Sequence, residues 1–202
     1  MRFVVFNNTN KQIKSPIGCD NIDMVMGCDD AIYQRLLDLL HDSFKERLDQ
    51  NLNFDCASFN MEELKNATNN GVIITAYQNS SLVGMVYLLL KGTGRRQYGC
   101  HEYLAVSPEV KHGGVATSMQ NVMVGIAKDM GLLMLTSSTA TTAESSVKWH
   151  LKNGFIPFKV ARHVGKTYTT YHFFKPIRHS SILYLIKLFS PIMLRISKLY
   201  LK

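Results

Sequence analysis

Between residues 29 and 48 apolar positions recur every three or four residues. Ile32, Leu36, Leu37, Leu40, Phe44 and Leu48 fall on one stripe, which predicts a helix beginning at Asp29 or Asp30. The segment NMEELKNAT predicts a second, short helix, with Asn60 and Glu63 in capping-box spacing. The period then changes. VIITAYQ (72–78), SLVGMVYLLL (81–90) and YGCHEYLAV (98–106) have strand character and are separated by turn residues at Asn79-Ser80 and Gly92-Thr93-Gly94. Helical spacing returns from Gly114 with Val115, Met119, Val122, Met123, Ile126 and Met130, and Gly131 ends the run. LLMLTSS (132–138) follows as a short buried strand, and AESSVKWHLKNG as a helix closing at Gly154. FIPFKVARHV and KTYTTYHFFK form a hairpin around Gly165. Residues 1–25 are mixed and predict one strand, near Phe3–Phe6 or Ile22–Met26.

This order of elements predicts an α/β chain of mixed α+β character, with a mainly antiparallel sheet, flanking helices and one crossover unit. Residues 1–175 form one unit of ordinary domain size. Residues 176–202 depart from it, being rich in Ile, Leu, Phe and Tyr and interrupted by Lys187, Arg195, Lys198 and Lys202. In a helix those basic positions lie near one face, and Pro191 on the same face predicts a kink or break. Such a tail fits packing on its own domain or a partner subunit, including a second copy, or peripheral contact with a membrane interface. The interruptions argue against a bilayer span, and the apolar content against a disordered extension.

Composition adds a charge asymmetry. Up to Glu144 there are 12 Lys/Arg against all 15 Asp/Glu, whereas from Ser145 onward there are 11 Lys/Arg and no acid. A basic C-terminal half attracts anions: cofactor phosphates, nucleic acid or an acidic membrane face. No recognition helix, RNA-binding signature or zinc motif accompanies the charge, which makes nucleic acid the weakest of the three. Cys19, Cys28, Cys56 and Cys100 show neither C-x-x-C pairing nor zinc-finger spacing with histidine. They are read as reduced thiols of a cytoplasmic protein with no metal site. The N-terminus turns polar at Asn7, too early for a secretory signal.

The turn Lys111-His112-Gly113-Gly114 carries the most chemistry. It opens a helix, where backbone N–H groups lack partners and carry the positive end of the helix dipole. Glycine lets an anion approach that backbone closely, so a phosphate or pyrophosphate suits the site. A plain tight turn is the alternative that the turn alone leaves open. Glu102 lies two residues before Leu104, so a regular strand places Cys100, Glu102, Leu104 and Val106 on one face. Buried there, the acid acquires a raised pKa and suits a general base; the alternative is an ion pair or solvent exposure.

The array Val106-Ser107-Pro108-Glu109, Lys111-His112-Gly113-Gly114-Val115-Ala116, then AESSVKWHLKNGFIPF resembles the GNAT N-acetyltransferase superfamily. The likeness covers about residues 20–175 in element order, with specific motifs in 102–117 and 143–155. It implies acetyl-CoA, or another acyl-CoA, as co-substrate, and transfer of the acyl group to an amine acceptor, small molecule or peptide. Leu104, Ala105 and Val106 would run along the pantetheine arm. Lys111, His112, Gly113, Gly114, Val115, Ala116 and Thr117 would hold the pyrophosphate, with Ser146 reaching a phosphate. Glu102 would be the base, and His150, where the family commonly has tyrosine, the acid for the leaving thiolate. His112 replaces a frequent glycine, and a positive φ there would be strained. Ala143 replaces an asparagine that contacts the cofactor. These departures keep open a catalytically weak CoA-binding regulatory protein, peripheral to a membrane through its tail. Trp149 either stacks on adenine or packs into the core, the latter being the expectation. The acceptor would be walled by the first helix, residues 52–68 and the terminal hairpin.

Overall fold

The computed structural model describes residues 1–9, 11–13, 21–49, 54–162 and 166–199, with backbone alone for 46–49. The side chain of Leu48, Cys19, the turn at Gly165 and Lys202 lie outside the described residues. Helix α1 (Asp30–Asp49) follows Asp29, whose carboxylate accepts from the Ile32 N–H at 2.8 Å. Leu36 and Leu40 on its apolar stripe are fully buried. Helix α2 (Met61–Ala67) starts with both halves of the capping box: the Asn60 side chain accepts from the Glu63 N–H, and the Glu63 carboxylate from the Asn60 N–H.

Eight strands form one sheet: β1 (Arg2–Asn7), β2 (Ile22–Met26), β3 (Gly71–Gln78), β4 (Ser81–Lys91), β5 (Tyr98–Val106), β6 (Met134–Ala140), β7 (Ile156–Arg162) and β8 (Thr169–Pro176). The spatial order is β2-β1-β3-β4-β5-β6-β8-β7. All neighbours are antiparallel except β1–β2 and β5–β6. Both N-terminal candidates are therefore strands, where the sequence predicts one. Ile22 and Met24 do alternate with exposed Asp23, but β2 is an edge strand of five residues and its last two positions face solvent. The buried strand after Gly131 begins at Met134, two residues later than its apolar run.

Two cores cover the two faces of the sheet. Helix α3 (Val115–Asp129) packs Met119, Met123 and Ile126 against Val72, Ile74, Val86 and Leu88 on one face. Helices α1 and α2 pack Leu36, Leu40 and Leu64 against Ile73, Met85 and Tyr87 on the other. Inward residues of β3 and β4 thus alternate between the two clusters, as the pleat requires. Helix α4 (Glu144–Lys152) follows β6, and Phe155 beyond it is buried in the α3-side core.

The tail forms helix α5 (Ser181–Leu199), which lies along β7. Of the kink or break predicted at Pro191, the break is absent: the helix runs through the proline. Proline lacks the N–H that would bond the Lys187 carbonyl, but the Ser190 hydroxyl donates to that carbonyl at 2.9 Å and satisfies it. On the inward face Leu183 is buried, and the Ser197 hydroxyl accepts the edge N–H of Val160 at 2.9 Å.

Gly84 of β4 sets how closely α3 approaches the sheet. A Cβ there would stand 2.9 Å from both the Met119 methyl and a Val115 methyl. A Gly84→Val substitution is expected to lift the start of α3 and to destabilise the protein by about 1–3 kcal/mol, read by urea denaturation.

Candidate active site

Strands β5 and β6 pair over three positions only, Gly99–Leu135, Cys100–Thr136 and His101–Ser137. Beyond His101 the β6-facing backbone groups of β5 have no strand partner among the described residues. On its other side β5 carries a bulge against β4, because Tyr87 pairs with Glu102 and Met85 with Ala105. Tyr103, inside the bulge, adopts φ +52°, a left-handed conformation that costs a non-glycine residue about 1 kcal/mol or more. Its ring stacks on Tyr87 at 6.0 Å and meets Phe59 edge-on at 5.6 Å. A bulge bends its strand and strengthens the twist, so β5 turns away from β6 just past their last pair.

The extra residue also reverses the pleat. Glu102 and Ala105 share the α1 side, whereas Leu104 and Val106 pack against the α3-side core. Cys100, Glu102, Leu104 and Val106 do not share one face as regular alternation predicts.

The strands part over a cleft of about 670 Å³. At its floor α3 begins. Gly114 adopts φ +79°, and a Cβ there would meet nothing within 4 Å, so this backbone stands open. Ser118 is the first residue of α3 whose N–H reaches a carbonyl, that of Gly114, at 2.9 Å. The N–H groups of Val115, Ala116 and Thr117 therefore point out of the helix start, where its dipole is positive. His112 holds φ +70°, the strained conformation its place in the motif implied.

Two kinds of titratable group face the same cleft. Glu102 has its pKa raised by burial, opposed by the charge of Lys91. Opposite it, His150 is 3 % exposed and its pKa is lowered by burial. Its Nδ1 lies 2.7 Å from the Ser146 carbonyl. A carbonyl only accepts, so the proton of the neutral ring sits on Nδ1 and Nε2 is the acceptor. Ser137 Oγ, 2.8 Å from Nε2, donates to it. His101 Nδ1, 3.3 Å from the same Oγ, then donates to Ser137, and burial beside His150 lowers the His101 pKa to about 3. The result is a directed chain, His101 to Ser137 to His150 to the Ser146 carbonyl, buried at the point where the strands divide. The ring of His150 also stacks on Phe173 at 4.7 Å.

The cleft brings together Glu102, Leu104 to Val106, Lys111, His112, Gly114 to Thr117, Ser146 and His150, and Gly113 alone of the expected site residues does not line it. Trp149 packs against the α3-side core, and its Nε1 donates to the Thr117 hydroxyl at 3.3 Å. The outer walls come from Ser43 and Phe44 of α1, from Phe54, Asp55 and Cys56, and from Tyr168 before β8. Asp55 pairs with Lys166 at 2.6 Å. His101 and Ser137 went unnoticed in the sequence; their link to His150 forms only when the β5–β6 ladder pairs them. Among the described residues no three His, Cys, Asp or Glu side chains are grouped to hold a metal ion.

Two central parallel strands that part over an open, glycine-rich helix start fit the acyl-CoA-dependent class of transferase that the sequence resemblance implies. The model of the Acetyltransferase (GNAT) family matches residues 33–155, and the chain belongs to that family. Solved structures agree in fold. A GNAT-family acetyltransferase of Streptococcus pneumoniae superposes with a TM-score of 0.59 at 16% identity, over 75% of this chain and 96% of that one. The PaiA N-acetyltransferase of Thermoplasma acidophilum, in complex with coenzyme A, gives 0.56 at 17% identity over 74% and 95%. An aminoglycoside 6'-N-acetyltransferase complexed with coenzyme A gives 0.58 at 14% identity over 75% and 94%. No curated protein matches the chain by sequence.

The strain at His112 is testable without ligand. His112→Gly removes the left-handed penalty but adds unfolded-state entropy, so a small gain in stability of up to about 1 kcal/mol is expected in thermal unfolding. A loss of stability would mean that the imidazole makes contacts worth more than the strain.

Proposed function

We propose that the protein transfers an acetyl or other short acyl group from acyl-CoA to an amine by direct transfer. The observation that carries this reading is the parting of β5 and β6 directly above the open N–H groups of Val115 to Thr117, with Glu102 and the Ser137–His150 pair on opposite sides of the gap. Two of the similar structures hold coenzyme A, which supports the same occupant here. The open helix start and the backbone of Lys111 to Thr117 suit a pyrophosphate, with Ser146 lining the same cleft. The edge of Leu104 to Val106, which no strand pairs among the described residues, suits an extended amide-bearing arm. Acyl-CoA supplies the activated acyl group and a thiolate as leaving group.

The chain's own groups then manage the protons. Glu102 takes the proton of the incoming ammonium, which leaves a neutral amine to attack. A backbone N–H on the free edge of β5 steadies the developing oxyanion. The Ser137 hydroxyl, already donating to Nε2 of a neutral His150, passes its proton there as it receives the one the amine sheds on attack. The reverse movement returns that proton to the departing sulfur, and both side chains end as they began. The His150 imidazolium thus forms only within the cycle, as lowered basicity requires. Phe44, Phe54 and Tyr168 wall the side from which the amine enters.

A second reading, CoA binding with little turnover, rests on Ala143, which stands at the start of α4 with no side-chain cap. In either case residues 1–175 are read as the acyl-CoA unit, at work in the cytoplasm, with residues 176–202 as an appended contact surface. The free thiols of Cys28 and Cys100 suit that compartment.

Thiol release from acetyl-CoA across a panel of amines separates the two readings, and release with none of them favours the binder. Because the Glu102 pKa is raised, its base form is lost as pH falls, so turnover should rise with pH through a value above the ordinary carboxylate range. Glu102→Gln is expected to remove that limb and to lower kcat by a factor on the order of 10² to 10⁴. Full activity of this variant at neutral pH would eliminate Glu102 as the base. His150→Phe keeps the stacking on Phe173 and is expected to lower kcat by on the order of a hundredfold with little change in CoA affinity. Unchanged turnover and pH profile would remove His150 from the reaction.

A further inference from the structure

We propose that α5 seats the protein on an anionic lipid surface, lying in the plane of the interface with its outward face in the headgroup region. This inference rests on the tail being a contact surface and is independent of the acyl-transfer chemistry. Helix α5 is about 28 Å long at 1.5 Å per residue. Its inward stripe is committed to the domain through buried Leu183 and Ser190 and through the Ser197–Val160 hydrogen bond. Leu185, Leu188, Phe189, Ile192, Ile196 and Leu199 lie on the far side, within roughly 100° of arc at about 100° per residue. Each is between 48% and 68% exposed. Large apolar side chains exposed to this degree are otherwise scattered: Met1, Val25, Met26 and Leu151 are the only such residues described outside α5. So contiguous an apolar patch marks an interaction surface.

Charge selects the partner. Arg195 borders the apolar arc, and Lys187 and Lys198 lie on the same flank between the arc and the inward stripe, the Lys198 ammonium 5.7 Å from the Tyr171 ring. The helix carries no acidic residue, nor does the chain anywhere after Glu144. Exposed Lys159 and Arg162 on β7, the strand α5 lies along, add to the same field. Two copies joined through this face would bring basic borders together with no acid from α5 to pair them. A layer of anionic headgroups complements the charge while its acyl boundary takes the leucines and isoleucines. No helix of the described residues is long and apolar enough to cross a membrane, and the fixed inward stripe of α5 holds it flat.

Flotation of the full chain with vesicles of phosphatidylcholine containing 30% phosphatidylserine, against phosphatidylcholine alone, tests the proposal. Recovery with the mixed vesicles at low salt, falling at 0.5 M salt and much smaller on phosphatidylcholine, is expected. Converting Lys187, Arg195 and Lys198 together to Glu should lower the partition coefficient by on the order of a hundredfold, from about fivefold per basic side chain. Leu188→Asp combined with Ile192→Asp should abolish flotation. These positions are exposed, so far-UV circular dichroism and melting temperature should stay unchanged. Failure to float with anionic vesicles, or equal recovery on both compositions, overturns the proposal. So does a lipid-independent dimer in sedimentation that the Leu188/Ile192 pair of changes disperses, since that would make a second copy the occupant. Because acetyl-CoA binding by the Leu188/Ile192 variant is expected to match the parent, loss of flotation and loss of the acyl-CoA reading are read separately.

Discussion

The ladder between β5 and β6 holds for three residue pairs and then opens, and the proposed chemistry depends on where it opens. Above the last pair, His101–Ser137, β5 bends away at the Tyr103 bulge and leaves its backbone edge with no strand partner among the described residues. Below it, the side chains of that pair meet His150 in a buried hydrogen-bond chain. The strained Tyr103 backbone persists because its ring is held between Tyr87 and Phe59, a case of local strain over-determined by packing. The division of the strands thus creates an extended edge, a cleft and a buried hydrogen-bond chain at one place.

The start of α3 completes that geometry. Gly84 lets the helix approach β4 closely, and Gly114 leaves the first turn open toward the gap. An anion at Val115 to Thr117 and an arm along Leu104 to Val106 would be continuous, which is why one extended ligand suits both better than two separate ones. His150 reaches the cleft from α4 and Glu102 from β5, so in the proposed reaction the two proton tasks would fall to different groups. Burial raises the pKa of the acid and lowers that of the histidine. Both shifts favour the neutral form of each side chain: Glu102 titrates closer to neutral pH, and His150 further below it, so that any imidazolium formed there is a readier proton donor.

Much of this was legible in the sequence, and the parts that were not share a cause. Long periodic segments such as α1 and α3, the capping box at Asn60 and Glu63, and the glycine turn all depend on residues close together in the chain. Short β2 was half hidden because an edge strand needs only part of its pattern. The Tyr103 bulge had no glycine to announce it, and its support comes from Phe59 and Tyr87, remote in sequence. It reversed the facing of Leu104 and Val106 that simple alternation predicts. Likewise the chain from His101 through Ser137 to His150 exists only in the folded sheet. Pro191 predicts a kink or break because its missing N–H is a local fact, whereas the rescue by the Ser190 hydroxyl that lets the helix continue depends on how that side chain turns.

The central claim, that the parted strands and the open start of α3 together receive acyl-CoA, is tested most directly by following backbone amide resonances during a titration with coenzyme A. The account predicts the largest shifts at Gly113 to Thr117 and along Leu104 to Val106, with smaller changes at Ser137 and His150. Shifts centred instead on the hollow between Met1, Arg35 and Tyr77 at the other end of the sheet, or none at millimolar coenzyme A, would contradict it.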